Sequence, residues 1–92
     1  MSNLTAEEYR ILGLDAQQLK SNKAFRMVLD QAKEYITSKE LNCDLDDSSK
    51  AARLILMRQT IALIERQLES IINNGIISQN YLDSVADKKN VY

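Results

Sequence analysis

The chain of 92 residues has no histidine, no proline and no tryptophan, one cysteine and two glycines. Without histidine there is no imidazole for a metal site, a Ser-His-Asp triad or a switch near neutral pH. Cys43 alone makes neither an intramolecular disulfide nor a cysteine-cluster zinc site. With no proline, and only Gly13 and Gly75 as glycines, little punctuates the chain. Twelve Lys and Arg stand against thirteen Asp and Glu, a net charge of −1. That balance argues against a polybasic nucleic-acid binder and against an acidic DNA mimic. No apolar run approaches the ~20 residues needed to span a bilayer. Met1, Ser2, Asn3, Leu4 and Thr5 form neither the basic nor the apolar part of a signal peptide. A cytosolic protein is expected, where a lone reduced Cys43 fits.

What remains is a composition of Leu, Ile, Ala, Gln, Glu, Lys and Arg, which favours helices. No segment alternates with period two, so an all-α fold in one small domain is expected. Thr5 and Glu8 have capping-box spacing and start a helix of about two turns to Leu12. Gly13 is placed for a left-handed stop, and Asp15 for the cap of a second short turn through Leu19. Asn22 caps the next helix, which runs to about Leu41 with Phe25, Val28, Leu29, Ala32, Tyr35 and Ile36 on one face. Residues 42–49, NCDLDDSS, form an acidic connector whose last residues favour the N-terminus of the following helix.

The helix expected over residues 50–74 has the most regular pattern. Leu54, Met57, Ile61, Ile64, Leu68 and Ile71 are spaced 3, 4, 3, 4, 3, a heptad seam. Asn73, Asn74 and Gly75 look like its end, leaving 76–92 as a mixed tail in which Tyr81, Leu82 and Val85 share a short turn. The two longer helices with their short connector predict an antiparallel helical hairpin preceded by a short N-terminal helical segment. Ile55, Leu63 and Ile72 form a second stripe, wider than one partner helix covers. Each uncovered Ile or Leu forgoes about 1.5–3 kcal/mol, so the N-terminal turns, a second copy or another protein must cover them. The expected interface is therefore Ile55, Leu63 and Ile72 with Ile76, Ile77, Tyr81 and Leu82 of the tail.

The candidate chemical sites are weak. Asn42, Asp44 and Asp46 alternate like the start of a calcium loop, but Asp47 and Arg53 stand where that loop needs Gly and Glu. Acidic neighbours disfavour the thiolate of Cys43. Lys50, Arg53, Arg58 and Arg66 suggest a basic strip on the long helix, interrupted by Glu65 and Glu69. The carboxylate pairs Glu7–Glu8 and Asp46–Asp47 diverge as sequence neighbours and have no nucleophile beside them. Tyr9, Tyr35, Tyr81 and Tyr92 suit packing or an interface better than base stacking. No catalytic, cofactor-binding or metal-binding residue emerges. The expected partners are proteins or further copies of the chain, with no role for a membrane or a small-molecule substrate and with nucleic acid disfavoured.

One longer pattern points to a setting. Leu19 and Asn22 precede the aromatic Phe25, and a helix follows with Val28, Leu29 and the pair Tyr35–Ile36. An acidic break (Asn42, Cys43, Asp44, Asp47) leads into an Arg-led amphipathic helix from Arg53 to Ile72, with Leu68 near its end and a closing Gly75. From Asp15 to Ile77, about two-thirds of the chain, this resembles small proteins encoded in the virion-assembly gene clusters of tailed bacteriophages. The resemblance implies a non-enzymatic structural or assembly protein in the host cytoplasm or the virion, acting as a homo-oligomer or docked on a larger component. It brings no catalytic residues. Two other readings use the same residues: a small helical regulator or inhibitor of a host or phage enzyme, and a DNA-packaging accessory using Lys50, Arg53 and Arg58.

Overall fold

The computed structural model describes residues 4–44 and 46–90, the last three as backbone. Met1, Ser2, Asn3 and Tyr92 lie outside the described residues, as do the side chains of Lys88, Lys89 and Asn90. Three helices follow one another: α1 (Ala6–Ser21), α2 (Lys23–Leu41) and α3 (Ser48–Asn90). There is no strand among the described residues, and the fold is all-α.

The helix starts follow from local hydrogen bonding. Glu8 N donates to Thr5 Oγ1 at 3.2 Å and Thr5 N to Glu8 Oε1 at 3.5 Å, the reciprocal capping box ahead of α1. Asn22, extended at φ −67° and ψ 124°, accepts from Phe25 N at 2.9 Å and so separates α1 from α2 with a single residue. At the end of α2, Asn42 Nδ2 donates to the Ser38 carbonyl at 2.9 Å. Asp47 starts α3: its carboxylate accepts from Lys50 N at 3.0 Å and its carbonyl from Ala51 N at 3.1 Å.

The two glycines do the opposite of what their sequence positions suggest. The expected stop at Gly13 is absent and α1 continues to Ser21, absorbing the separate turn expected over Asp15–Leu19. The expected stop at Gly75 is absent as well, and the tail from Ile76 is helical to Asn90. Neither glycine has a positive φ. Their use is contact. A Cβ built on Gly13 would lie 2.7 Å from the Gly75 Cα, and one built on Gly75 would lie 2.7 Å from the Gly13 Cα and 3.2 Å from the Tyr9 carbonyl oxygen. A helical glycine costs about 1 kcal/mol against alanine. Here that cost accompanies a backbone-to-backbone contact that no side chain permits.

The chain divides into two compact units. In one, α1 packs on α3 from Gln67 onward. Gly13, Ala16, Ile72 and Gly75 are buried there, Tyr9, Leu68 and Leu82 are half-buried, and Lys20 pairs with Glu69. The other unit spans Ser21–Arg66 and pairs α2 with the first part of α3. Ile36, 1% exposed, and Leu54 are buried there. Phe25, Leu29 and Ala32 of α2, and Ala51, Met57 and Ile61 of α3, are half-buried around them.

The seam on α3 also differs from the expected heptad. Leu54, Ile61 and Leu68 keep their places, but Ile64 and Ile71 are exposed. Glu65 and Ile72, one residue further on, are half-buried and buried. Steps of three and four both return near the same face of a 3.6-residue helix, so helix rotation decides between them. That rotation fits the partners of Arg58 and Glu65 in one unit and the Gly75 contact in the other.

Gly13→Ala and Gly75→Ala should each lower stability by about 1–3 kcal/mol, the usual cost of overpacking, despite the better helix propensity of alanine. Thermal unfolding followed by circular dichroism would read this as a fall of several degrees in Tm. An unchanged or higher Tm would mean that the two backbones do not touch.

Candidate interaction surfaces

The Ser21–Arg66 unit has a polar flank and an apolar flank. On the polar one, Arg58 donates from Nε to Glu40 Oε2 and from Nη2 to Thr37 Oγ1, both at 3.3 Å, and makes a further close contact with Glu40. The hydrogen bond with Glu40 raises the guanidinium pKa above its already high ordinary value, so Arg58 stays cationic. Lys33 Nζ donates to Glu65 Oε2 at 3.1 Å. Numbers rise along α2 as they fall along α3, so these contacts are antiparallel. Such half-exposed pairs contribute modestly to stability and more to register.

The helical period places Lys33, Thr37 and Glu40 on one flank of α2, facing Arg58 and Glu65 of α3. The same period puts Val28 and Tyr35 on the other flank of α2, and Met57 and Ile64 on the matching flank of α3. Val28 is 61%, Tyr35 54% and Ile64 46% exposed. Lys39 sits over the Tyr35 ring, 5.4 Å from its centroid, which confirms that these two share a flank. From sequence, Val28 and Tyr35 join the buried face of this helix. They are instead the outer part of a stripe too wide for one partner, and the i, i+4 pairing of Tyr35 with Lys39 was the signal for it.

The expected basic strip is scattered. Arg58 is held by Glu40 and Thr37 on the polar flank. By helical period, Lys50 and Arg53 lie on the side of the apolar flank, and Arg66 lies away from both. Of the expected interface residues, Ile55 and Leu63 are exposed on α3 in this unit. Leu63 and its neighbour Leu56, also exposed, lie half a turn from the buried Leu54.

The remaining expected interface residues belong to the unit formed by α1 and the later part of α3. Ile76, Ile77 and Tyr81 are exposed and Leu82 is half-buried. Ile72 is 6% exposed, inside the unit beside the glycine contact. A groove of about 150 Å³ runs along one flank, with Leu14 and Ile76 as apolar walls and Arg10, Gln17, Gln79 and Asn80 at the rim. Arg10 is engaged with Glu7, its Nε donating to Oε2 at 3.0 Å, and that bond holds the Glu7 carboxyl below its ordinary pKa. Gln79 Nε2 donates to Asp83 Oδ1 at 2.8 Å. Leu12, Leu19 and Ile71 are exposed in the same unit.

In the connector, the half-buried Cys43 donates its S–H to the Asp44 carbonyl at 3.5 Å, and Asp47 is used as the helix cap. Among the described residues, no three or more His, Cys, Asp or Glu side chains are grouped to hold a metal ion. Among the described residues, no helix is long and apolar enough to cross a membrane. Comparison with known proteins gives no matching family model, no matching curated protein and no matching solved structure.

If the apolar flank is bare in the isolated chain, Val28→Gln and Ile64→Gln should each change unfolding free energy by no more than about 0.5 kcal/mol. Ile36→Ala should cost about 2–5 kcal/mol. Urea titration measures all three. Losses at Val28 and Ile64 as large as that at Ile36 would show the flank to be covered already.

Proposed function

We propose that the chain is a non-enzymatic structural or assembly protein that acts by helix packing, as a homo-oligomer or docked on a larger virion component. The observation that carries this reading is the exposure of Val28, Tyr35 and Ile64 on one flank of a two-helix layer. Two helices bury the line along which they touch and leave both flanks to be covered by something else. Exposed Ile and Leu side chains in the other unit, Ile76 and Leu14 among them, support the same reading. Covering each such side chain contributes up to about 1.5–3 kcal/mol, enough for a handful to hold a component in an assembly.

The scaffold in this reading is an antiparallel helical hairpin formed by α2 and the first part of α3, and the pairs Lys33–Glu65 and Glu40–Arg58 support it. The setting follows the resemblance of Asp15–Ile77 to small proteins of tailed-phage assembly clusters: host cytoplasm first, then the particle or an intermediate of it. Ile55, Leu63, Ile76, Ile77, Tyr81 and Leu82 remain interface residues in this proposal. Ile72 enters it as a packing residue of the α1–α3 unit, so it is unsuited to an interface test.

The test is sedimentation from phage-infected cells expressing the chain. The protein should travel with particles or assembly intermediates, and Val28→Glu with Ile64→Glu should release it while helical content is kept. Free sedimentation of the unaltered chain at 10.5 kDa would sink the proposal.

A further inference from the structure

On the helices of the Ser21–Arg66 unit, the charges that the helical period places beside the apolar flank are of one sign. Lys39 lies over Tyr35 on α2. Lys50 and Arg53 fall by helical period on the side of α3 that carries Met57 and Ile64. The acids of this unit's helices are elsewhere: Glu40 and Glu65 are paired across the polar flank, and Asp30 and Glu34 lie, by the same period, on the far side of α2. Asp44, Asp46 and Asp47 precede the first turn of α3, where the Asp47 carboxylate accepts from the backbone N–H of Lys50, and among the described residues none of the three forms an ion pair with Lys50 or Arg53. A chain with a net charge of −1 thus presents an apolar face, flanked by three cations, on which its helices place no carboxylate.

From this we infer that the apolar flank docks an amphipathic helix of another protein, with acidic side chains bordering its apolar stripe. The inference rests on the association reading above and specifies the partner. Val28 and Tyr35 from one helix, with Met57 and Ile64 from its neighbour, form the two walls against which a third helix packs, at the usual 8–10 Å between axes. Acidic residues on the incoming helix meet Lys39, Lys50 and Arg53 as the apolar contact closes. A second copy presenting the same flank brings three more cations and no acid. Desolvating these cations unpaired opposes that pairing.

The experiment uses the full chain and two synthetic 18-residue helical peptides with the same Leu and Ile stripe, one bordered by Glu and one by Lys. Fluorescence anisotropy reads binding at 50 and 300 mM NaCl, and vesicles of anionic phospholipid serve as a third probe. The Glu-bordered peptide should bind at least ten-fold more tightly than the Lys-bordered one at low salt, with the margin shrinking at 300 mM. Lys50→Glu with Arg53→Glu should remove or reverse the preference, Ile64→Glu should abolish binding, and Arg66→Glu, off this flank, should change neither. Circular dichroism checks that each variant is folded.

Equal binding of both peptides overturns the inference and leaves the association reading standing. Preferential binding to the vesicles, or a dimer that Ile64→Glu dissociates, overturns it in favour of a lipid surface or a second copy. Binding to no probe by a monomer that also fails to sediment with particles removes both the inference and the reading beneath it.

Discussion

Two helix backbones in contact leave no room for a β-carbon, and the contact of Gly13 with Gly75 sets the terms for the unit around it. Because a Cβ on either residue would lie 2.7 Å from the opposite Cα, both positions are confined to glycine. The contact fixes which face of α1 meets α3, and Ala16 and Ile72 are buried with the two glycines. It also explains how α1 and α3 both run through residues that commonly end helices. A glycine terminates a helix when it supplies a left-handed conformation. These two remain right-handed and supply closeness instead.

The second unit reaches its register by different means. Its seam holds one nearly inaccessible side chain, Ile36, with Leu54 beside it, and sets Lys33, Glu40, Arg58 and Glu65 along one edge. Apolar contact alone tolerates sliding by a turn, whereas two cross-helix ion pairs are satisfied together in one register. The result is an amphipathic layer. Charge is spent on the edge that holds the helices together, and the other edge is left apolar and cationic.

The sequence makes the fold class and the helix starts legible because both depend on local physics. The Thr5–Glu8 spacing, Asn22 before Phe25 and Asp47 ahead of Ser48 each satisfy backbone N–H groups within one turn. The glycines were illegible because their role depends on a residue some sixty positions away. The choice between Ile64 and Glu65, or Ile71 and Ile72, was illegible for a related reason. Steps of three and of four are equally regular in the sequence, and only the partner helix selects between them. The breadth of the apolar stripe was visible, but not that Val28 and Tyr35 form its outer edge. Of the interface residues proposed from sequence, Ile55, Leu63, Ile76, Ile77 and Tyr81 are exposed, Leu82 is half-buried and Ile72 is buried.

The separation of partners along the chain has a consequence for the order in which structure forms during synthesis. The ion pairs of the Ser21–Arg66 unit join residues 18 and 32 positions apart, whereas Lys20 and Glu69 are 49 apart. Short loops close at lower entropic cost than long ones, and topologies rich in nearby contacts form sooner. α1, made before α2 and α3, therefore waits longest for its partner. During that interval the face of α1 that carries Gly13 and Ala16, buried in the finished unit, has no later helix beside it and is free to meet whatever apolar surface is nearest.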